Sequence, residues 1–343
     1  MKKQNIFIAI GLLLVIGMFY VGRSVYYEYY PVEVYPSETW EPFVSSLDAQ
    51  REAFFIEVDG INLEAELFIP NGGDEQKAAV VFSPGSGDTI YQNYGFGLVE
   101  TFVLDVFLSR DMAVLLINKR GMGQSEGLYT SRSIEGRSED LIASVRAIQI
   151  HPQIDAGNIG LVGHSEGGWV VNYTAAQNPE IAFFIGLAGP TITRWEQAKD
   201  MYRYEAVCLG LEGEELDAYF EKRVRNTELG VKIGRITNFG LLGFDYRTMT
   251  FDPEASLLEV EIPGLFIFGE NDVLVLPNNN LERLDDIFIN GLPENLTVTV
   301  AEDATHQFRL VDEPCDSWND PSQYEQSTEV IDIMNNWLAE IGY

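Results

Sequence analysis

Basic residues are scarce in this chain. It carries 22 Lys and Arg against 53 Asp and Glu, a net charge of −31 over 343 residues. A phosphate backbone would be repelled, and no basic patch exists to release its counterions, so nucleic acid is excluded as a partner. Anionic lipid headgroups are excluded as an electrostatic target for the same reason. The acids are spread rather than clustered. That favours solubility, or adaptation to a salty medium, over a surface for cationic substrates. Cysteine is nearly absent. Cys208 and Cys315 fit no metal-ligand pattern, and they either pair or both stay free. Histidine is almost as rare, with three residues, His151, His164 and His306. The glycine-rich loop 120–127 lacks the third glycine that a dinucleotide fingerprint needs, which removes a Rossmann cofactor site. No cofactor and no metal is implied.

What is present is organised around residues 159–168. The apolar run Ile159-Gly160-Leu161-Val162 reads as a short buried strand. It turns through Gly163-His164-Ser165-Glu166-Gly167 into a helical run from Trp169. This is G-x-S-x-G between a strand and a helix. A nucleophile at the apex of so tight a turn needs a strained backbone, and the flanking glycines keep side chains out of the crowded crossing. Ser165 is therefore the candidate nucleophile. The backbone N–H of Glu166, opening the helix, would point at an oxyanion formed there.

A serine hydroxyl needs a base. His164 adjoins the serine on the turn, so its ring points away from the hydroxyl. His151 precedes Pro152 in a loop and reads as a surface residue. His306 remains, after the strand-like run 296–301. The acid that orients it should fall between Ser and His in chain order. Asp272 follows the buried strand 264–269 and fills that position. Glu270, two residues earlier, is the rival. No acid directly follows the strand-like run 182–187, which removes the other place for a triad acid.

These segments resemble the α/β-hydrolases, in particular the esterase, lysophospholipase-like and dienelactone-hydrolase-like branch often labelled serine aminopeptidase-like. The matching stretches are Ser83-Pro84-Gly85-Ser86-Gly87-Asp88, residues 118–127, Gly163 to Gly168, Gly269 to Asp272 and Thr305-His306. They occur in the family's order from about Phe54 to the C-terminus. Many relatives carry His-Gly where this chain has Pro84-Gly85, a form that also occurs in the family. The resemblance implies a catalytic triad of Ser165, Asp272 and His306. It also implies an oxyanion hole from the N–H groups of Ser86 and Glu166. The motifs are specific for the fold and the triad and not for a substrate, and a small-molecule ester is the expected partner. Arg120 is expected to brace loops near the site.

Strand and helix signals alternate along the chain, which means a mostly parallel sheet with helices on both faces. Ala53–Val58 and Leu63–Ile69 flank Asp59-Gly60 as a hairpin. Helices are expected over 96–109, 134–150, 278–289 and 324–341. Residues 191–261 break the alternation and read as helices 194–209 and 213–226. In the α/β-hydrolase fold an insertion between the sixth and seventh strands covers the active site, so this segment is expected to be a helical cap. Trp195, Tyr202, Tyr204, Phe220, Phe239, Leu241, Leu242 and Phe244 are candidates for its own core or for an acyl pocket. Gly230, Gly234, Gly240 and Gly243 would permit hinge motion.

Residues 1–23 are a separate object. Lys2 and Lys3 precede the uncharged run 6–22, whose 17 residues sit at the short end of the roughly 17–25 that span a bilayer. Tyr26, Tyr27, Tyr29 and Tyr30 follow like an interfacial belt. No small-residue cleavage site is evident, which favours an uncleaved anchor over a signal peptide. The expected layout is an anchor or signal (1–23), a linker (24–50), a core (51–190), a cap (191–261) and the rest of the core (262–343). The catalytic domain is expected outside the cytoplasm, tethered or else secreted.

The expected function is carboxylic ester hydrolysis through an acyl-enzyme. A serine aminopeptidase-like peptidase or an acyl thioesterase is the alternative. A non-catalytic, membrane-tethered binding protein on the same fold is a further one.

Overall fold

A computed structural model describes residues 34–73, 75–237, 246–316 and 321–343. Eight strands form one sheet: β1 (Ala49–Val58), β2 (Ile61–Pro70), β3 (Lys77–Ser83), β4 (Ala113–Ile117), β5 (Ile154–His164), β6 (Phe184–Leu187), β7 (Gly264–Gly269) and β8 (Leu296–Ala301). Their order is β1-β2-β4-β3-β5-β6-β7-β8. β1 pairs with β2, and β2 with β4, antiparallel, and the other pairs are parallel. In the hairpin Val58 faces Ile61 across a two-residue turn. Asp59 and Gly60 both take positive φ there, 54° and 76°. That is the type I′ geometry whose twist matches the strands.

The central strands are apolar without a break because both faces are covered. Alternate residues go to opposite sides. Val81, Leu115, Leu161 and Phe266 pack beneath α3 (Ile134–Gln149) and α4 (Glu166–Gln177). Val80, Val114, Val162 and Leu265 pack on the other face, with Phe102, Phe107 and helix α8 (Thr328–Glu340). Phe102 lies in a π-helical turn, Val99–Asp105, that runs into the short helix α2 (Val106–Ser109).

The linker expectation for 24–50 needs correction at its C-terminal end. Helix α1 (Trp40–Val44) puts Trp40 at 0% exposure against Phe68 and Tyr91, and β1 already begins at Ala49. A large apolar ring beside a proline-containing stretch was enough to recruit that stretch into the core. The apolar run 6–22 lies outside the described residues. No helix among the described residues is long and apolar enough to cross a membrane.

Between β6 and β7 come α5 (Arg194–Cys208), α6 (Gly213–Thr237) and α7 (Glu254–Glu259). α5 opens with a reciprocal capping box between Thr193 and Glu196. α6 runs well past the expected end at 226. It carries Gly230 and Gly234 in its interior, so these two are not hinge points. Glycine lowers helix propensity by about 1 kcal/mol but does not stop a helix on its own. Gly240, Gly243, Phe239, Leu241, Leu242 and Phe244 lie outside the described residues. Tyr202 donates to or accepts from Thr227 at 2.8 Å, joining α5 to α6. The two cysteines pair. A disulfide from Cys208 to Cys315 ties the end of α5 to the loop after β8.

Candidate active site

The elbow after β5 has the strain its spacing predicts. Ser165 sits at φ 55°, ψ −125°, a region that a non-glycine residue occupies at a cost of about 1–3 kcal/mol. The flanking glycines are obligatory. A Cβ on Gly163 would stand 2.2 Å from the Gly167 carbonyl oxygen, and one on Gly167 would stand 2.1 Å from that of Ser83.

His306 lies in the loop after β8, and Asp272 in the loop after β7. His306 Nδ1 donates to Asp272 Oδ2 at 2.7 Å. The other carboxylate oxygen accepts from the N–H groups of Leu274 and Val275, at 2.7 and 2.8 Å. Asp272 is buried and thus held by three bonds. The rival Glu270 is exposed and accepts from Asp303 N–H instead. With Nδ1 as donor, the neutral ring presents a bare Nε2. His306 and Ser165 line the same cavity, of about 250 Å³, and neither Nε2 nor Oγ is bonded to the other. Neither has a hydrogen-bond partner among the described residues, so serine and imidazole share a pocket without being bonded. Such bonds are commonly loose in a free enzyme and tighten on substrate.

Ser86 and Glu166 line the same cavity. Glu166 is the first residue of α4, where an N–H has no intrahelical acceptor. Ser86 N–H likewise has no acceptor among the described residues, whereas its neighbours are tied down. Lys119 Nζ donates to Gly85 O at 2.7 Å and to Gly87 O at 2.6 Å. Gly85 N–H donates to Tyr94 Oη at 2.6 Å. Arg137 donates to Pro84 O and, at 2.6 Å, to Glu166 Oε1. The loop is held on three sides, and Ser86 lines the cavity. Burial first, and the Arg137 charge second, pull the Lys119 pKa down to about 7.

His164 has a supporting position. Its Nε2 meets the His306 carbonyl oxygen at 2.8 Å, and only a protonated nitrogen can donate there. Its Nδ1 is therefore bare and accepts from Tyr94 Oη at 2.8 Å. One chain of bonds thus runs from Gly85 N–H through Tyr94 and His164 to the His306 backbone. The two imidazoles also lie 4.7 Å apart between centroids. Burial, and secondarily the nearby His306, depress the His164 pKa to about 3, so the relay is neutral in ordinary buffers. Tyr94, Lys119 and Arg137 were not legible as site residues. Arg120 braces as expected, gripping Asp140 through Nε and Nη2 and reaching Asp59. His151 is peripheral, 3.4 Å from Glu52.

The roof over Ser165 comes from α5, through Arg194, Gln197 and Met201. Trp195, Tyr202, Tyr204 and Phe220 do not line this cavity. Tyr202 and Phe220 instead stack under Arg223 and Arg203 within the cap.

A model described as the prolyl oligopeptidase family matches residues 99–223, a stretch that includes the elbow. A curated relative, thiohydrolase aneE of Aspergillus aculeatus, is 29% identical over 122 residues, which is 34% of this chain. The chain spans about a third, 34%, of that relative's length. Among solved structures, Est1E of Butyrivibrio proteoclasticus, bound to ferulic acid, superposes with a TM-score of 0.57 at 17% identity. The overlap is 84% of this chain and 98% of that one. An esterase of Pyrococcus furiosus gives 0.58 at 15% identity, over 91% and 99%. A dienelactone hydrolase of Anabaena variabilis gives 0.51 at 16%, over 85% and 98%. At such identities the likeness is one of fold. Sheet order, elbow and neighbours together make this chain an α/β-hydrolase by fold.

Proposed function

We propose that the protein hydrolyses carboxylic esters with Ser165 as nucleophile, His306 as base and Asp272 as its orienting acid. The observation that carries this is the 2.7 Å bond from His306 Nδ1 to a buried, triply bonded Asp272, at the edge of the cavity that Ser165 lines. His306 Nε2 takes the serine proton as Ser165 attacks the carbonyl carbon. The oxyanion is met by the N–H groups of Ser86 and Glu166, each worth about 3–4 kcal/mol in such a role. His306 then returns the proton to the leaving alcohol. A water, deprotonated by the same nitrogen, releases the acid.

An ester is favoured over an aminoacyl peptide by the charge of the pocket. A peptide's terminal ammonium needs an uncommitted carboxylate. The acid lining this cavity, Glu166, is already held by Arg137. A thioester is the second acyl donor to consider, because the curated relative is named a thiohydrolase. The test is turnover of short p-nitrophenyl esters, matched thioesters and aminoacyl p-nitroanilides by one preparation. Ester turnover is expected to dominate. Anilide turnover with negligible ester turnover would overturn the ester reading.

The apolar run 6–22 supports a tethered domain beyond the cytoplasm, and the Cys208–Cys315 disulfide suits an oxidising compartment. Protease shaving of intact cells should remove the domain. A domain protected until lysis would contradict this location.

A further inference from the structure

Among the described residues that line the pocket, Arg194 is a cation with no carboxylate partner. Arg194 opens α5 directly over the elbow and lines the cavity with Ser165 and His306. Beneath the site Arg120, Arg132 and Arg137 each hold a carboxylate. Arg194 has no carboxylate within ion-pair distance among the described residues. Its Nε is buried without a partner. One end of the guanidinium, Nη1, donates to Gln197 Oε1. Gln197 is fixed in turn by donating from Nε2 to Leu274 O at 2.9 Å, which turns its oxygen towards the arginine. The guanidinium carbon lies 5.8 Å from the centroid of the Trp169 ring, on the first turn of α4.

Arg194 is half-buried, and a buried guanidinium nitrogen with no partner is costly unless something completes its bonds. In a chain of net charge −31, acids to pair with it are abundant, yet none of the described ones is placed there. The side chain is nonetheless held in position by an amide and an aromatic face. Such pre-organisation suits an external anion. The cavity, about 250 Å³, lies below the roughly 300–1,000 Å³ of drug-sized sites, so the ligand is small. Long-range repulsion by the acidic surface is screened within about 8 Å at physiological salt. At contact the local cation decides.

We propose that Arg194 selects small esters bearing a carboxylate on the part of the substrate that lies beneath α5. This rests on the ester-hydrolase reading above. The carboxylate bonds to the free guanidinium edge while the ester carbonyl meets Ser165. Because that bond is remote from the reacting atoms, it acts mainly on KM.

The test uses two matched pairs, each an acid and its methyl ester. Mono-p-nitrophenyl adipate against p-nitrophenyl methyl adipate probes the acyl side. 4-Acetoxybenzoate against methyl 4-acetoxybenzoate probes the alcohol side. In at least one pair the wild-type kcat/KM should favour the acid by about tenfold or more, mostly through KM. Arg194→Gln should bring that ratio towards one, and Arg194→Lys should retain part of it. A purely structural arginine would lower both members equally and leave the ratio unchanged, which would overturn the proposal. So would a wild-type ratio of one or less in both pairs. If Arg194→Gln does not fold, the wild-type ratio decides, together with stronger competitive inhibition by adipate than by dimethyl adipate. Turnover of the neutral esters alone overturns this proposal only. Turnover of no ester overturns the ester reading and this one with it.

Discussion

The floor of the pocket and its roof are built by different physics. The floor is a set of loops at the carboxyl ends of the strands, locked by buried polar bonds. Arg137 joins Glu166 to Pro84, Lys119 joins Gly85 to Gly87, and Tyr94 with His164 joins Gly85 to His306. Apart from the bond between Gly85 and Tyr94, each joins segments far apart in the chain. The roof is two helices held to each other by arginines over Tyr202 and Phe220, by one hydroxyl pair and by the Arg223–Glu205 ion pair, and tied to the body by Gln197 on Leu274 O and by one disulfide. Chemistry demands sub-ångström placement, so it sits where buried networks fix geometry. On the proposed reading, substrate choice tolerates movement and sits on the looser layer, with Arg194 at the boundary between the two.

That contrast can be attacked at four points. The largest effect is expected in the floor. Asp272→Asn should lower kcat about ten-thousandfold by loosening His306 and disturbing its tautomer, while Glu270→Gln should change it less than about threefold. Equal losses in steady-state assays would dissolve the distinction between the two acids. Tyr94→Phe comes next. It deprives Gly85 N–H and His164 Nδ1 of a partner, each worth about 1–3 kcal/mol when buried. kcat should fall about ten- to a hundredfold with little change in KM. A KM effect without a kcat effect would move Tyr94 from the floor to the binding surface.

The roof should respond in stability rather than in chemistry. Cys208→Ser removes a cross-link closing 107 residues, and such losses cost about 2–5 kcal/mol. Limited proteolysis of this variant should cut within 191–261 before the sheet. Simultaneous loss of both layers would show them to be one cooperative unit. The smallest effect concerns Lys119. Its folded pKa lies near 7 against a reference of 10.5. Between those values the unfolded chain binds more protons than the folded one, so the contribution to stability rises with pH across that window. Denaturant titrations at pH 6.5 and 9.5 should show this upward slope in the wild type and a smaller one in Lys119→Met. A steeper slope in the variant would reverse the assignment.

The sheet and the elbow were legible because they are written locally. Unbroken apolar runs marked β3, β4 and β7, and glycine spacing marked the turn at Ser165. Chain order and the scarcity of histidine left Asp272 and His306, now seen bonded to each other. The supporting residues were not legible. Tyr94 and His164 lie 70 residues apart, and no periodicity records such a pairing. His164 was read only as unable to serve as base, which its position shows, but its neighbour-binding role needed coordinates. Trp40 was missed because one turn of helix carries too little pattern to stand out from a proline-containing stretch. The end of α6 is not legible because Gly230 and Gly234 lower helix propensity locally, while the helix continues through them to Thr237. Arg194 carries no local sequence signal, because its lack of a carboxylate partner among the described residues is a matter of tertiary placement.

The most direct test is covalent labelling of the folded protein by a fluorophosphonate, read by intact mass and peptide mapping. One group per chain should be found on Ser165, absent from Ser165→Ala and slowed by orders of magnitude in His306→Ala. A folded wild type that takes no label, or a label that survives in Ser165→Ala, would contradict a nucleophile at the elbow.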